Sequence, residues 1–480
     1  MLNIFSEQVV LSKGGGGYQI VSALITIDGN TIGGVLECTR GDEVFEKARS
    51  CNLDFHDYGT KLISPSFING HTHLAMSAYR GVGGLAARAD NVVEDLFYEM
   101  ESHLQPGDVR AFTRLGAYES LMCGVGSVWD HYYYGEEVGE ALLDTGLSGV
   151  IAPTMQDLSG PGVPRLEKEL AAVEAIQGNQ RFRDGGILAA FGPHATDTVS
   201  SELWQRILKH AEIHHLPVHC HLAQSPQEYQ RSLDRHGVSP VEFLERLGVL
   251  AGDFPQLWVH GIYLSNRDLE SLKDSGAVLG YCGYSQLQFG FSANFEAWQN
   301  MGLPMVLGTD CSASNDSMDV QAELRLLAGA HFFKPTFSQE NLRFCRNNNG
   351  DSLSELANLR NQLFSKVEKY SEPDRLLDTV WRIPGRLHPE MVFGEIKPGA
   401  LANLVVWDVE HPAFWPSTDV LRALSMNRVV LGIEQMMVAG KWIGESGHYQ
   451  QSLRQSDAYE AHRMEARSRL EGLLRRCGLE

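Results

Sequence analysis

The stretch Ser64-Pro65-Ser66-Phe67-Ile68-Asn69-Gly70-His71-Thr72-His73-Leu74 decides the fold. A largely apolar run from Leu62 to Ile68 reads as a buried strand, and it empties into two histidines two positions apart. Successive side chains on a strand alternate faces, so His71 and His73 project the same way. Two imidazoles converging where a strand ends make a bidentate platform for a divalent transition metal. Taken alone, the same pattern also describes two surface histidines in a loop, so its partners matter.

Partners of the right type recur, each at the end of its own strand-like run. Leu216-Pro217-Val218-His219-Cys220-His221 and Leu257-Trp258-Val259-His260 end in histidine, and Met305-Val306-Leu307-Gly308-Thr309-Asp310 ends in aspartate. In a parallel barrel the C-terminal strand ends gather on one face, and catalytic side chains come from several strands. Asp310 also suits a helix N-cap, with Ser312 and Ser314 following, but the strand before it favours a strand-end role.

Working outward, short apolar runs alternate with longer amphipathic stretches from Leu62 to about Ala330. The candidate strands are Leu62–Phe67, Gly126–Asp130, Gly149–Pro153, Ile187–Gly192, Pro217–His221, Gln256–His260, Ala277–Cys282 and Met305–Asp310. Helices are expected between most of them, among them Asp108–Cys123, Ser200–His214 and Pro240–Leu247. Eight such units over about 250 residues fit a (β/α)8 TIM-type barrel. We place it at 62–385, with a polar excursion at about 333–370. Residues 1–61 and 386–450 are expected to form one composite β-sandwich, because neither end has enough strands to bury a face alone. Residues 451–480 read as a C-terminal helix.

Composition sets the outer limits. The 480 residues are 43% hydrophobic and 21% charged, ordinary for a soluble enzyme. A formal net charge of -20 without a long Lys/Arg cluster argues against nucleic acid or an anionic membrane as partner. The eight cysteines are scattered with no C-x-x-C pair, which suits reduced thiols. The first residues lack the basic-then-apolar pattern of a secretory signal, and no run approaches the roughly 20 apolar residues of a membrane span. A cytoplasmic protein is expected.

The ordered set "PSFINGHTHLAMSAYRG", "FGPHATDTVS", "VHCHLAQSPQEY", "LWVHGIYLS", "LGTDCSASNDSMDV" and "GEIKPGALANLVVWD" resembles the amidohydrolase superfamily over nearly the whole chain. The similarity is to the branch of cytosine, guanine and adenosine-type deaminases and triazine hydrolases. The resemblance implies His71, His73, His221 and Asp310 as ligands of one divalent metal ion per chain. Zinc is expected, with iron or manganese also compatible. An ion so held lowers the pKa of a bound water, and Asp310 would serve as general base and then acid. His260 matches a histidine that contacts substrate and the attacking water, and His194 matches a substrate-contacting one. His219 shares a strand face with His221 and is either a supporting residue or a substitute ligand. A homodimer is expected from relatives.

One departure stands out. Deaminases of this branch carry a proton-shuttling glutamate three residues after the strand-5 ligand, and here that position is Gln224. A carboxamide can bond but cannot titrate near neutral pH. Glu228, a turn later, is a poorly placed replacement. The run Tyr281-Cys282-Gly283-Tyr284-Ser285-Gln286-Leu287-Gln288-Phe289-Gly290 also departs from the family, and its aromatics suit a flat substrate. Asn403 replaces a closing-motif aspartate, a change we read as structural. The sequence thus points to hydrolysis of a non-peptide C–N bond in a small cyclic nitrogenous compound, as an aminohydrolase. The alternatives are displacement of chloride or alkylamine from an azine ring and, from another class, a non-catalytic binding barrel.

Overall fold

The computed structural model describes residues 1–14, 16–51, 54–81, 93–288, 290, 292–330, 338–347 and 349–479, with backbone alone at 51, 347 and 363–370. Phe289, residues 333–337 and residue 348 of the anticipated features lie outside the described residues.

Two parallel sheets carry the site. One orders Gly192–Pro193, Ser148–Met155, Val125–Tyr132, Phe67–His73 and Asp310–Cys311, with Ile187–Ala189 also beside Ser148–Met155. The other orders Val218–Leu222, Gln256–His260, Val278–Tyr281 and Met305–Leu307. Every residue of Val125–Tyr132 and Ser148–Met155 is buried, as expected for parallel strands covered on both faces. A parallel bridge from Phe191 to Val218 joins the two sheets, flanked by Phe191 N donating to Pro217 O at 2.8 Å and His219 N to Phe191 O at 2.9 Å. At the opposite edges, the single segment 305–311 contributes a strand to each sheet.

That second junction depends on two glycines. A Cβ on Gly70 would stand 2.8 Å from Leu307 O, and one on Gly308 would stand 2.6 Å from His71 O. Any side chain there would push the first and last strands apart. Asn69 and Thr309 then tie them reciprocally, Nδ2 to Oγ1 at 2.8 Å and Thr309 N to Oδ1 at 3.0 Å.

The chain ends meet in one mixed sheet of eight strands: Lys441–Ile443, Ile433–Val438, Leu404–Trp407, Leu62–Pro65, Leu2–Ser12, Tyr18–Asp28 and Thr31–Glu37, with Phe55–Asp57 beside Leu2–Ser12. The anticipated sandwich is thus represented by a single hydrogen-bonded sheet. Alternation sorts its two faces. Val9, Ile63, Leu404, Val406 and Met437 join one apolar cluster, while Val10, Leu62, Val405, Trp407 and Met436 join the main core.

The run expected as one strand, Leu62–Phe67, is split. Leu62–Pro65 pairs with Leu2–Ser12 and Leu404–Trp407 in the mixed sheet, and the strand bearing the histidines begins only at Phe67. Pro65 cannot donate a backbone bond, and at Ser66 the ladder passes to Asn403 O at 3.0 Å. Asn403 itself explains the amide in place of an aspartate. Its Nδ2 donates to Ser127 and Ser148 Oγ at 2.8 Å while Oδ1 accepts from Ala439 N at 2.7 Å, stitching the two architectures together.

The anticipated helices are found at Pro106–Met122, Ser201–His214 and Pro240–Arg246. The polar excursion is helical, Gln339–Asn347 and Gly350–Tyr370, linked by Arg343 and Glu355 at 2.7 Å. The terminal helix is Asp457–Arg476. The seven described cysteine thiols, among them buried Cys220, Cys282 and Cys311, are free.

Candidate metal centre

The strand ends bring five donors together. The ligand-capable atoms of His71, His73 and Asp310 lie within 4.8 Å of one another, and so do those of His71, His221 and His260. Asp310 Oδ1 stands 3.3 Å from His73 Nε2 and 3.7 Å from His71 Nε2, and Oδ2 stands 4.0 Å from His260 Nε2. All five side chains are buried or nearly so. Ala223, His260 and Asp310 take positive φ of 50°, 80° and 60°. Such left-handed geometry costs of order 1–3 kcal/mol per non-glycine residue, and it clusters where function constrains the backbone.

The outer ring nitrogens set the chemistry of the inner ones. His73 Nδ1 donates to His131 O, and His221 Nδ1 donates to His194 O at 2.8 Å. Both Nε2 atoms therefore carry lone pairs in the neutral rings, yet they face each other at 3.3 Å beside a carboxylate. His71 Nε2 is a buried atom without a hydrogen-bond partner. A cation shared between these acceptors would satisfy them, and the donor set fits a divalent metal ion.

Electrostatics agree for most of the set, while at His73 the lowering by burial is outweighed by Asp310, which raises that imidazole above its ordinary value. Burial pushes the Asp310 carboxyl up, but His71 and His73 outweigh it and hold the group well below the usual carboxylate range. Burial lowers His71 to about 3 against the pull of Asp310. His221 falls well below its ordinary value through burial and its neighbouring imidazoles. His194 falls to about 3 through burial, with His73 and His260 adding to the effect. Neutral imidazoles are the form that ligates metal.

The other anticipated residues take distinct positions around the donor group. His194 sits against His221, ring centroids 5.1 Å apart, with Nδ1 bonded to Thr198 Oγ1 at 3.0 Å. His219, left open between ligand and support, turns its Nε2 to His71 Nδ1 at 2.8 Å, so it touches a donor rather than joining the donor group. Gln224 sits in the loop beyond His221, its backbone N bonded to Glu228 Oε2 at 2.8 Å. Glu228 spends its lone pairs on that N–H, on Ala223 N at 3.1 Å and on Thr196 Oγ1 at 2.6 Å. It shapes the loop and is not free to shuttle protons.

Three residues escaped the sequence reading. His131 closes the Val125–Tyr132 strand and packs 4.9 Å from the His221 ring, its Nδ1 on Thr154 Oγ1 at 2.9 Å. The signal was there, since Trp129-Asp130-His131 ends a strand like the others. Asp130 buries its carboxylate, accepting from Leu74 N at 2.7 Å, just past His73. Ser285 Oγ donates to Asp310 Oδ2 at 2.6 Å, and nothing in its helical turn marks it from sequence.

Residues 62–343 match the amidohydrolase family. The chain is 27% identical over 425 residues to a 5-methylthioadenosine/S-adenosylhomocysteine deaminase of Thermococcus kodakarensis, covering 85% of this chain and 90% of that protein. It is 29% identical over 301 residues to a 5'-deoxyadenosine deaminase of Methanothrix thermoacetophila, covering 61% and 69%. Among solved structures, a zinc-bound adenosine deaminase from Xanthomonas campestris superposes with a TM-score of 0.75 at 22% identity over 98% of both chains. A zinc complex of atrazine chlorohydrolase from Arthrobacter aurescens does so at 0.75 and 20%, covering 98% of this chain and all of that one. This chain belongs to the amidohydrolase family. It is a hydrolase of carbon–nitrogen bonds other than peptide bonds.

Proposed function

We propose that this enzyme is an aminohydrolase releasing ammonia from a 6-aminopurine nucleoside or a close analogue, with one zinc ion held by His71, His73, His221 and Asp310. The reading is carried by the lone pairs of His73 and His221 Nε2, which face each other at 3.3 Å beside Asp310. The substrate class is supported by the adenosine-type deaminases among the relatives.

A divalent ion in this cage supplies an acidified water and charge neutralisation. Asp310 would accept a proton from the attacking water and return it to the departing nitrogen. The water oxygen would bond to the ring carbon while its second proton passes to the adjacent ring nitrogen, the C–N bond would break, and ammonia would leave with the ring keeping a carbonyl and an N–H. Ser285 holds Oδ2 of Asp310 by its 2.6 Å bond and so aims the carboxylate. His260, 4.0 Å from the same oxygen, orients the water, and His194 and Gln224 bond the substrate.

Gln224 favours one second reading. Displacement of chloride or alkylamine from an azine ring depends less on a titrating shuttle at that position. Measuring ammonia, chloride and alkylamine release over a panel of adenosine analogues and triazines separates the two. Turnover of triazines alone would replace the first reading with the second. The non-catalytic alternative is set aside, because the four anticipated ligands fall in two triads that share His71.

We further read the two parallel sheets as arcs of one (β/α)8 barrel over 62–385, apart from the Leu62–Pro65 strand. The chain ends, 1–61 and 386–450, would curl against it as a sandwich-like unit, followed by 451–480. The Phe191–Val218 bridge and the shared segment 305–311 support that closure.

A further inference from the structure

A second group of ligand-capable side chains lies on the helices rather than at the strand ends. His210 and His214 stand one turn apart on the helix Ser201–His214, and Glu174 faces them from the neighbouring helix Leu166–Gly178. Their ligand atoms all lie within 4.8 Å of one another. The two imidazole rings are nearly parallel, 18° apart with centroids separated by 6.2 Å.

We propose that Glu174, His210 and His214 form a second, surface site for a divalent transition metal of the zinc type, clipping two neighbouring helices together. Zinc takes imidazole nitrogen and carboxylate oxygen at about 2.0–2.2 Å in tetrahedral geometry, which sets donors roughly 3.5 Å apart. Closing from the observed spread takes about an ångström of side-chain rotation, which the exposed Glu174 and His214 can make freely.

Two other features prepare the site. Arg206, one turn before His210, forms a two-point ion pair with Glu167 of the facing helix at 2.6 and 2.8 Å, so the helices are already in register. His214 ends its helix, where the backbone dipole favours a cation. His210 is half-buried against Phe191, ring centroids 6.3 Å apart, which narrows its rotamers before any ion arrives. Three protein donors leave the fourth position to water.

The site is independent of the inner centre, and ion counting keeps them apart. Chelator-stripped protein is titrated with zinc against a chromophoric competitor, alongside thermal melts. Wild type should bind two ions per chain, and its melting midpoint should keep rising past the first equivalent. His210→Ala/His214→Ala, and Glu174→Gln as the milder variant, should lose one ion and that later rise. His73→Ala should keep the outer ion and lose the inner. An unchanged ion count in both outer-site variants, or a single ion in wild type that only His73→Ala removes, would overturn the proposal. An unchanged count in His73→Ala alone would instead count against the inner site.

Discussion

His219 Nε2 lies 2.8 Å from His71 Nδ1, so one buried imidazole sets the tautomer of another. For His71 to present a lone pair at Nε2, its Nδ1 must carry the proton and donate it to His219. His219 then keeps its own proton on Nδ1, an atom with no partner among the described residues. The bond orients His71 and leaves its inward nitrogen unprotonated.

Removing that partner should loosen the centre without emptying it. We expect His219→Ala to bind zinc about 10–100-fold more weakly, the usual cost of losing a second-layer partner. Competition against a graded series of chelators measures it. Undiminished affinity in a folded variant would mean that packing alone orients His71.

Deleting a ligand should do more. His73→Ala removes the nitrogen that faces both His221 and Asp310, and should lose the inner ion and all activity. Stripping wild type with a chelator should abolish turnover in the same way, and zinc should restore it. Elemental analysis that finds the inner ion still bound to His73→Ala would move the site elsewhere.

Gln224 and Asp310 should part company. The loop around Gln224 is held by its backbone N on Glu228, so trimming the side chain leaves the loop in place. A lost hydrogen bond to substrate costs about 1–3 kcal/mol, roughly 5- to 150-fold in kcat/KM. We expect Gln224→Ala to fall in that range and Asp310→Ala to be inactive. Equal and total loss in both would make Gln224 part of the proton transfer.

Glu101, itself outside the donor group but within reach of the His73 charge, gives a pH test. Burial pushes its carboxyl up to about 7, against 4.5 in the open chain. A raised folded-state pKa means that stability is fully present below pH 4.5 and is lost as pH rises toward 7. Glu101→Gln cannot ionise, so its unfolding free energy should fall less over that window, by up to about 3 kcal/mol. His71, His194 and His221, lowered by burial, shift stability in the opposite sense in both proteins, whereas His73, raised beside Asp310, shifts it in the same sense. Urea midpoints for both proteins at pH 5 and pH 7.5 report it, and identical changes would show that Glu101 stays ionised.

His71 and His73, His221, His260 and Asp310 are legible in the sequence alone, because strand alternation and strand-end position are local properties that a chain carries in its spacing. The same holds for most of the parallel strands and for the helices between them. Other facts required the tertiary structure. Leu62–Pro65 belongs to the chain-end sheet because its partners are Leu2–Ser12 and Leu404–Trp407, strands from both far ends of the chain. His131, Ser285 and the His219–His71 bond depend on which strand ends meet and at what register, and local pattern does not encode that. Whether an imidazole becomes a ligand or the support of one is decided by a few ångströms between chains of contacts that close only when the sheets do.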